Sequence, residues 1–382
     1  MSTKQEILTG AELIARGAID AGVDFFAGYP ITPASSIYSA MLSKLQATGK
    51  VAIGASDEIS AIAMCIGASM RGAKTMTATS APGLCLMTEN ISHAFVTESP
   101  VLIALGQRLG PSTGAATQSH EGDISFLQHI IAGGYTIPVI AINSIFNSYS
   151  LTIKAINISE KLRTPVVLLS EKDIIMSATN VSVSALEQEK QRAVFINRPY
   201  FNFESDEIYK TYNFNQINEI PEFLAAGIGT KHRVVATGSL HDKKGTLSKT
   251  STEALEVLEH LNAKIKNNFE DLYDLDEESG ANTLIISFLA SDLSAKEAIK
   301  KARKENLKVS QLTIYSLFPV PEKIISELTT RYQTIIIPEV NFSGQYADAI
   351  MHLINKAKVI KINSQADLIK PERIYKEIKN AL

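Results

Sequence analysis

Tryptophan is absent from this chain of 382 residues, and only two cysteines occur, Cys65 and Cys85. Both cysteines lie inside apolar segments, and the sequence contains no Cys-x-x-Cys pair. The chain alone therefore cannot ligate an iron–sulfur cluster or a cysteine-based zinc ion, and we predict no metal site in it. Because free thiols without a disulfide framework are typical of reducing compartments, we expect a cytoplasmic protein.

Long apolar runs and a strong charge bias are missing as well. The best candidate run, Thr136–Phe146, is interrupted by Pro138 and Asn143 and falls short of the roughly 18 apolar residues of a membrane span. The N-terminus lacks the apolar core of a signal peptide and reads as the start of a capped helix. A net charge of −3 indicates no basic surface for nucleic acid. We therefore expect no membrane and no nucleic acid among the partners.

Strand-like and helix-like segments alternate through residues 1–177 and again through residues 282–382. Such alternation predicts α/β domains with parallel sheets. Between them, residues 178–281 mix polar and aromatic side chains without a sustained period, apart from a predicted strand at Arg233–Thr237 and a predicted helix at Ser251–Asn267. The sequence therefore predicts an α/β fold in which two parallel-sheet domains are joined by an extended irregular segment.

A single charged residue, Glu58, begins an almost wholly apolar stretch. Ile59–Met70 contains no charge and is rich in Ala, Ile, Met and Gly, so it predicts a buried helix. A carboxylate at the end of such a helix is costly to desolvate unless a partner uses it. The alternative is a partly exposed acid that the helix dipole favours.

Four strand ends of the first domain carry unusual residues, and ligands of open parallel sheets bind beyond such ends. The segments are 29–33 (Tyr-Pro-Ile-Thr-Pro), 57–58 (Asp-Glu), 79–83 (Thr-Ser-Ala-Pro-Gly) and 107–114 (Gln-Arg-Leu-Gly-Pro-Ser-Thr-Gly). The proline-rich turn can present the hydroxyl of Thr32 rigidly, although a helix-capping threonine is the alternative. Arg108 suits a bidentate grip on a carboxylate, although a surface arginine at a strand exit is the alternative.

These four segments, in this order and spacing, resemble the alpha subunit of the 2-oxoacid:ferredoxin oxidoreductases. The likeness is strongest over residues 1–175, where TATSAPGLCLMTENI, FVTESPV and QRLGPSTG are closest to the 2-oxoglutarate branch. The C-terminal domain is similar through 316–321 (Ser-Leu-Phe-Pro-Val-Pro) and 338–345 (Pro-Glu-Val-Asn-Phe-Ser-Gly-Gln). In the centre, the stretch from His241 to Gly245 is similar to a His-Asp-Glu-x-Gly stretch of the family, with Lys243 in place of Glu.

The resemblance implies the fold of a thiamine diphosphate enzyme, with a pyrimidine-binding domain at 1–177, a connecting segment at 178–281 and a transketolase C-terminal-like domain at 282–382. It places Glu58 against N1′ of the aminopyrimidine ring and makes Glu58, Thr32 and Arg108 catalytic. The residues that it implies around the cofactor are Tyr29, Ile31, Thr32, Glu58, Pro82 and Gly83. The residues that it implies on the substrate side are Thr32, Arg108, Ser112 and Thr113.

The same resemblance implies oxidative decarboxylation of a 2-oxoacid, 2-oxoglutarate in the first place, to an acyl-coenzyme A with reduction of ferredoxin. Thiamine diphosphate would be shared with a beta subunit that carries the diphosphate, Mg²⁺ and an iron–sulfur cluster. Gamma and delta subunits would complete the complex, and this chain would be inactive alone. The alternatives are the same chemistry on branched-chain or aryl 2-oxoacids, and a non-catalytic scaffold subunit of such a complex.

Two departures from the family pattern bear on these expectations. The family usually shows a Gly-His-Gly-Asp-like stretch where this chain reads 132–138 (Ala-Gly-Gly-Tyr-Thr-Ile-Pro), and this change affects the expected substrate or the docking of a partner. Gly122-Asp123 begins like the Gly-Asp-Gly motif that holds diphosphate and magnesium, but Ile124 breaks it. The sequence therefore assigns no role to Asp123.

Overall fold

The protein is described by a computed structural model covering residues 4–202, 204, 206–229 and 231–381, which form three β-sheets and the helices around them. The strands are β1 (Gln5–Thr9), β2 (Phe25–Gly28), β3 (Val51–Gly54), β4 (Thr75–Thr79), β5 (Val101–Gln107), β6 (Val139–Ala141), β7 (Pro165–Glu171), β8 (Ala178–Ser182), β9 (Tyr273–Asp276), β10 (Thr283–Ser287), β11 (Val309–Ile314), β12 (Ser316–Phe318), β13 (Thr334–Glu339) and β14 (Lys358–Asn363). The helices are α1 (Gly10–Asp20), α2 (Ser35–Gln46), α3 (Glu58–Met70), α4 (Ala81–Val96), α5 (Ile124–Gln128), α6 (Ser148–Leu162), α7 (Lys172–Met176), α8 (Val183–Arg192), α9 (Thr252–Asn268), α10 (Ser291–Lys304), α11 (Glu322–Thr329), α12 (Gln345–Ile350) and α13 (Pro371–Ala381).

The first sheet has seven strands in the order β12-β6-β7-β5-β4-β2-β3, and all neighbours are parallel except β12 and β6. Helices cover both of its faces, so a central strand is apolar on both sides and its successive side chains enter opposite cores. In β5, Leu102 and Ala104 lie in the core formed with α1, α2 and α6. Ile103 and Leu105 lie in the core formed with α3 and α4.

The second sheet has five strands in the order β14-β13-β10-β11-β9, with β9 antiparallel to β11. Helices α10 and α13 cover one face through Ile299, Ile374 and Ile378. The other face, which includes Leu284 and Ile286, belongs to the same continuous apolar core as α3 and α4 of the first sheet. The two sheets therefore share one core.

Two short strands link parts of the chain that the sequence analysis keeps separate. Strand β9 lies within 178–281 and pairs with β11 of the second sheet. Strand β12 lies within 282–382 and pairs with β6 of the first sheet, as Ser316 opposes Ile140. The division of the chain at 177 and 281 stays a prediction.

Two local predictions are wrong. Gln5–Thr9 forms a strand and not the start of a helix, because it pairs with β8, which lies far along the sequence. Thr9 then caps α1 by accepting a hydrogen bond from the backbone N–H of Glu12 at 3.2 Å. Arg233–Thr237 forms no strand. Its β-branched residues have no neighbouring strand to pair with, and the N–H of Val235 donates to the hydroxyl of Thr211 instead, at 3.2 Å.

The irregular segment is held to the first domain by buried charged side chains. Arg198, 1% exposed, forms an ion pair with Glu160 of α6 at 2.6 Å and donates to the carbonyl oxygens of Ser69 and Ala73. Arg163 donates to the carbonyl oxygen of Pro221 at 2.8 Å. Since a buried charge is tolerated only when paired, these contacts fix the stretch between α8 and α9, whose described residues form no helix or strand. Across the described ranges, no helix combines the length and the apolar character that crossing a membrane requires.

Candidate active site

The four segments singled out in the sequence meet at one edge of the first sheet. Strands β5, β4, β2 and β3 are consecutive neighbours in the sheet and run parallel, so their carboxyl ends lie side by side. Three of the ends lead directly into one of the four segments, and β3 reaches its segment after two further residues. The predicted convergence at this edge is therefore present in the structure.

The carbonyl oxygen of Thr32 joins three of these segments. It accepts a hydrogen bond from Nη1 of Arg108 at 2.7 Å and another from the hydroxyl of Ser80 at 3.0 Å. The turn also lies close to β5, because a Cβ atom at Gly106 would stand 3.0 Å from Cγ of Pro33. A glycine at this position lets the proline-rich turn pack against the strand.

Glu58 occupies the first turn of α3 and is buried, with 6% of its surface exposed. The helix is capped by the preceding residue, since the carboxylate of Asp57 accepts from the N–H of Ser60 at 2.7 Å. Within the described part of the chain, the carboxylate of Glu58 has no hydrogen bond or ion pair. A buried carboxylate without a protein partner is costly, and such groups are typical of sites that a ligand completes.

Gly83 lies directly against this carboxylate. A Cβ atom added to Gly83 would stand 2.5 Å from Oε1 of Glu58 and 2.2 Å from Oγ1 of Thr79. No side chain fits there, so glycine keeps the first turn of α4 in contact with the acid. Pro82 stands beside it in the same turn and is half-buried.

The other end of the site contains three buried polar atoms without partners. They are Nε2 of Gln107, Nε of Arg108 and Oδ2 of Asp123. The backbone N–H of Asp123 donates to Oε1 of Gln107 at 3.0 Å, which brings these residues together. Burial raises the pKa of Asp123 to about 7, and the positive charge of Arg108 opposes that rise.

A cavity of about 610 Å³ adjoins this end, between the glycine-rich loop and the loops that follow β13 and β14. Gly110, Pro111, His120 and Asp123 line it from the chain after β5, and Phe342 and Gln365 line it from the loops after β13 and β14. Burial lowers the pKa of His120, and a hydrogen bond with the backbone of Gln365 opposes that shift. Residues that follow strands of both large sheets therefore build the cavity.

The remaining predicted residues take different positions. Tyr29 is 38% exposed, and Ile31 is half-buried and packs against the core of α1 and α2. Ser112 and Thr113 are exposed at the tip of their loop and do not line the cavity, so their part in a site stays a prediction. Sequence reasoning passed over Ser80 and Gln107, which lay inside segments already singled out, and it set Asp123 aside because the next residue breaks a familiar motif.

The central His241-Asp242 stretch lies far from Glu58. His241 is buried, stacks on Tyr212 with ring centroids 4.1 Å apart, and contacts the carbonyl oxygen of Val96. Val96 ends α4, whereas Gly83 lies at its start, and a helix of this length spans roughly 24 Å. This stretch therefore helps to attach the segment 178–281 to the end of α4.

Comparison with known proteins gives a consistent result. A family model described as pyruvate flavodoxin/ferredoxin oxidoreductase, thiamine diphosphate-binding, matches residues 16–236. A second, described as pyruvate:ferredoxin oxidoreductase core domain II, matches residues 281–372. Together the two matches cover most of the chain.

Individual relatives agree with the family models. The chain is 30% identical to a 2-oxoglutarate synthase subunit KorA of Methanocaldococcus jannaschii over 98% of this chain and 99% of the relative. It is 32% identical to the subunit of the same name in Archaeoglobus fulgidus over 99% of this chain and 100% of the relative.

One solved structure, a 2-oxoglutarate:ferredoxin oxidoreductase from Magnetococcus marinus with 2-oxoglutarate, coenzyme A and succinyl-CoA bound, matches 99% of this chain with a TM-score of 0.91 and 28% identity. This chain spans 65% of that longer chain. These likenesses confirm the predicted α/β fold class and the resemblance to alpha subunits. The chain therefore belongs to the 2-oxoacid:ferredoxin oxidoreductase family.

Proposed function

We propose that this chain is the alpha subunit of a cytoplasmic 2-oxoacid:ferredoxin oxidoreductase and supplies one half of a thiamine diphosphate site. The reaction is oxidative decarboxylation of a 2-oxoacid, 2-oxoglutarate in the first place, to an acyl-coenzyme A, with electrons passed to ferredoxin. The observation that carries the proposal is the buried carboxylate of Glu58, which no described residue pairs and which Gly83 contacts directly.

The residues around Glu58 fit the pyrimidine end of the cofactor. Glycine at position 83 lets the first turn of α4 lie directly against the acid, where any side chain would displace the carboxylate. Bound thiamine diphosphate supplies the electron sink for loss of carbon dioxide from the 2-oxoacid. Glu58 holds a proton at N1′ of the ring, and a site with little water strengthens that hydrogen bond. Tyr29, Ile31 and Pro82 form the walls around it.

Arg108 is the group that binds the substrate's carboxylate. The residue is 6% exposed, and its guanidinium uses Nη1 to hold the carbonyl oxygen of Thr32, which leaves Nε for a ligand. A planar guanidinium suits bidentate binding of a carboxylate. Thr32 lies between this group and the cofactor walls, and Ser112 and Thr113 face the acyl donor, the 2-oxoacid, from their exposed loop.

A partner subunit completes the site. The outer side of α3 exposes Ile59 and Met64, and Leu86 of α4 and Ile53 of β3 are exposed as well. Large apolar residues exposed on neighbouring elements beside a functional group favour an interaction surface. We infer that a beta subunit covers this surface and brings the diphosphate, Mg²⁺ and an iron–sulfur cluster, and that gamma and delta subunits, ferredoxin and coenzyme A join the complex.

The test is the substitution Glu58→Gln in the complex reconstituted with its partner subunits. We expect turnover with 2-oxoglutarate to fall by about 10²- to 10⁴-fold, because positioned proton transfer is lost while the shape is kept. The matched control is Glu187→Gln on the exposed side of α8, which should turn over normally.

Size-exclusion chromatography must show the complex intact for both variants. Near-normal turnover of Glu58→Gln would refute the role of this acid. A panel of branched-chain and aryl 2-oxoacids, assayed on the wild-type complex, separates the proposed substrate from its rivals. Wild-type complexes that turn over no 2-oxoacid would favour a scaffold.

A further inference from the structure

Thr79, the last residue of β4, places a hydroxyl group next to the carboxylate of Glu58. Successive side chains of a strand point to opposite faces of the sheet. Ala78 of β4 lies in the core formed with α1 and α2, so the side chains of Thr77 and Thr79 point toward α3 and α4. Thr79 is wholly buried, and it therefore faces the helix that begins with Glu58.

The hydroxyl of Thr79 and the carboxylate of Glu58 meet at Gly83. A Cβ atom added to Gly83 would stand 2.2 Å from Oγ1 of Thr79 and 2.5 Å from Oε1 of Glu58. Because both distances start at one point, the two oxygens can be no further apart than these distances combined. A modest movement of either side chain therefore closes the remaining gap to a hydrogen bond.

In the resting structure the hydroxyl of Thr79 makes only a weak contact. Its one hydrogen bond in the described part of the chain goes to the carbonyl oxygen of Ser80 at 3.3 Å, which is long for a hydroxyl donor. That carbonyl oxygen also accepts from the backbone N–H of Leu84 at 2.9 Å, so it keeps a partner when the hydroxyl turns away. The hydroxyl is therefore available to Glu58, which has no donor among the described residues.

A hydrogen bond between these two groups offsets the cost of burying Glu58. A buried carboxylate needs donors, and a hydroxyl hydrogen rotates to suit its acceptor. Hydrogen bonds from a hydroxyl to a carboxylate are short and roughly twice as strong as those between neutral groups. Exchanging the long bond to Ser80 for a bond to Glu58 therefore stabilises the folded chain and fixes one of the two carboxylate oxygens.

We propose that Thr79 is a positioning residue for Glu58: its hydroxyl donates to Oε1 of the carboxylate and leaves Oε2 for the ligand. This inference rests on the proposed function, which assigns that ligand, the aminopyrimidine ring, to Glu58. With one oxygen anchored, the carboxylate presents the other in a single orientation to the proton that it shares with the ring. Gly83 belongs to the same arrangement, because a side chain there would push the two oxygens apart.

The substitution Thr79→Val removes the hydroxyl and keeps the shape, and it tests the inference in the complex reconstituted with its partner subunits. We expect kcat to fall about ten-fold or more, the loss expected when a hydrogen bond to a charged group is removed. The KM for the 2-oxoacid should be unchanged, because the proposed function assigns that substrate to Arg108. Thr79→Ser keeps the hydroxyl and should restore most of the wild-type kcat. Normal kcat for Thr79→Val, or a loss that Thr79→Ser does not repair, would overturn the inference.

The matched control is Thr77→Val, on the same strand and the same face of the sheet. The hydroxyl of Thr77 is wholly buried and has no hydrogen-bond partner in the described part of the chain. Its removal should leave kcat at the wild-type value. A fall in kcat as large as that of Thr79→Val would show that both variants merely disturb the packing of β4, and it would count against the inference decisively.

A double-mutant cycle shows whether Thr79 acts through Glu58. In the Glu58→Gln complex, Thr79→Val should lower the residual kcat by less than about two-fold, because the carboxylate to be positioned is already missing. A second loss as large as the first would mean that Thr79 contacts the ligand directly, which contradicts the positioning role. Near-normal kcat for Glu58→Gln alone refutes the proposed function instead, so the two failures are distinguishable.

Urea denaturation of the full chain alone gives a readout that needs neither cofactor nor turnover. Thr79→Val should lower the folding equilibrium constant about ten-fold or more, since Glu58 then stays buried without a donor. Thr77→Val should not lower it, because it removes an unpaired hydroxyl. In a Glu58→Met background the effect of Thr79→Val should shrink to less than about two-fold. An effect of the same size in both backgrounds would exclude contact between the two side chains and overturn the inference, whatever the complex catalyses.

Discussion

Two buried arginines at opposite ends of the first sheet show how structure and function divide in this molecule. Arg198 uses its whole guanidinium: Nε and Nη2 bind Glu160, Nη1 binds Ser69, and Nη2 also binds the carbonyl oxygen of Ala73. Arg108 is nearly as buried, but it binds Thr32 through Nη1 and leaves Nε without a partner. Two arginines of similar burial therefore differ greatly in how many of their donors have a hydrogen-bond partner.

Two buried glutamates repeat the contrast. Glu160 is 2% exposed and saturated by Arg198, whereas Glu58 is 6% exposed and lacks a partner among the described residues. A saturated buried pair holds the irregular segment in place. An unsaturated buried group costs stability, so its presence indicates that a ligand supplies the missing contact.

The largest effect that this comparison predicts is on folding. Arg198→Met should lower the free energy of unfolding of the chain by about 3–5 kcal/mol, because it leaves Glu160 buried without its counter-charge. Urea denaturation measures the loss. The control is Arg16→Met, whose half-exposed pair with Glu6 should be worth less than about 1 kcal/mol. A loss from Arg198→Met as small as that of the control would remove the contrast.

Arg108→Ala should show the reverse pattern, with a small effect on folding and a large effect on substrate binding. We expect the KM for the 2-oxoacid to rise about 10- to 100-fold, because hydrogen bonds to charged groups contribute about 1.5–3 kcal/mol. Steady-state kinetics of the reconstituted complex measures it, with coenzyme A as the second varied substrate. Equal effects on both substrates would reject the carboxylate-binding role.

Gly83→Ala should have the smallest effect of the three, and it tests the space beside Glu58. The added Cβ would stand 2.5 Å from Oε1 of Glu58, so the carboxylate must move, and we expect kcat to fall about ten-fold or more, since misplaced catalytic groups cost at least this much. The matched control is Gly67→Ala, measured in the isolated chain. A Cβ atom at this position meets open space, so the substitution should raise the free energy of unfolding by about 0.5–1 kcal/mol. A Gly83→Ala complex with normal kcat would mean that Glu58 needs no fixed position.

The sequence predicts those parts of the fold that depend on local patterns. The strand at Thr75–Thr79 and the helix that begins at Glu58 follow from runs of apolar residues and their caps. Strands β1, β9 and β12 escaped prediction because each is short and becomes a strand only by pairing with a partner distant in sequence. The prediction of a strand at Arg233–Thr237 was wrong for the opposite reason. Its composition is strand-like, but a strand does not form without a neighbouring strand to pair with.

The residues of the site likewise divide into those that local sequence predicts and those that depend on distant contacts. Glu58 and Arg108 were found because each stands at the end of an apolar segment, which is visible in one stretch of sequence. Asp123 was not found, because its burial and unpaired oxygen arise from contacts of its loop with Ser291, Val340 and Gln345, more than 160 residues away. Buried polar atoms without hydrogen-bond partners arise only in the folded chain, so the sequence does not reveal them.

Strand β12 has a consequence for dissecting this protein. Ser316–Phe318 forms the outermost strand of the first sheet and covers the edge of β6. A chain that ends at residue 281 would therefore expose this edge, together with its side of the shared apolar core. Exposed strand edges invite aggregation. A C-terminal third taken from a relative must therefore supply a strand that pairs with β6. We expect the two sheets to unfold in a single transition.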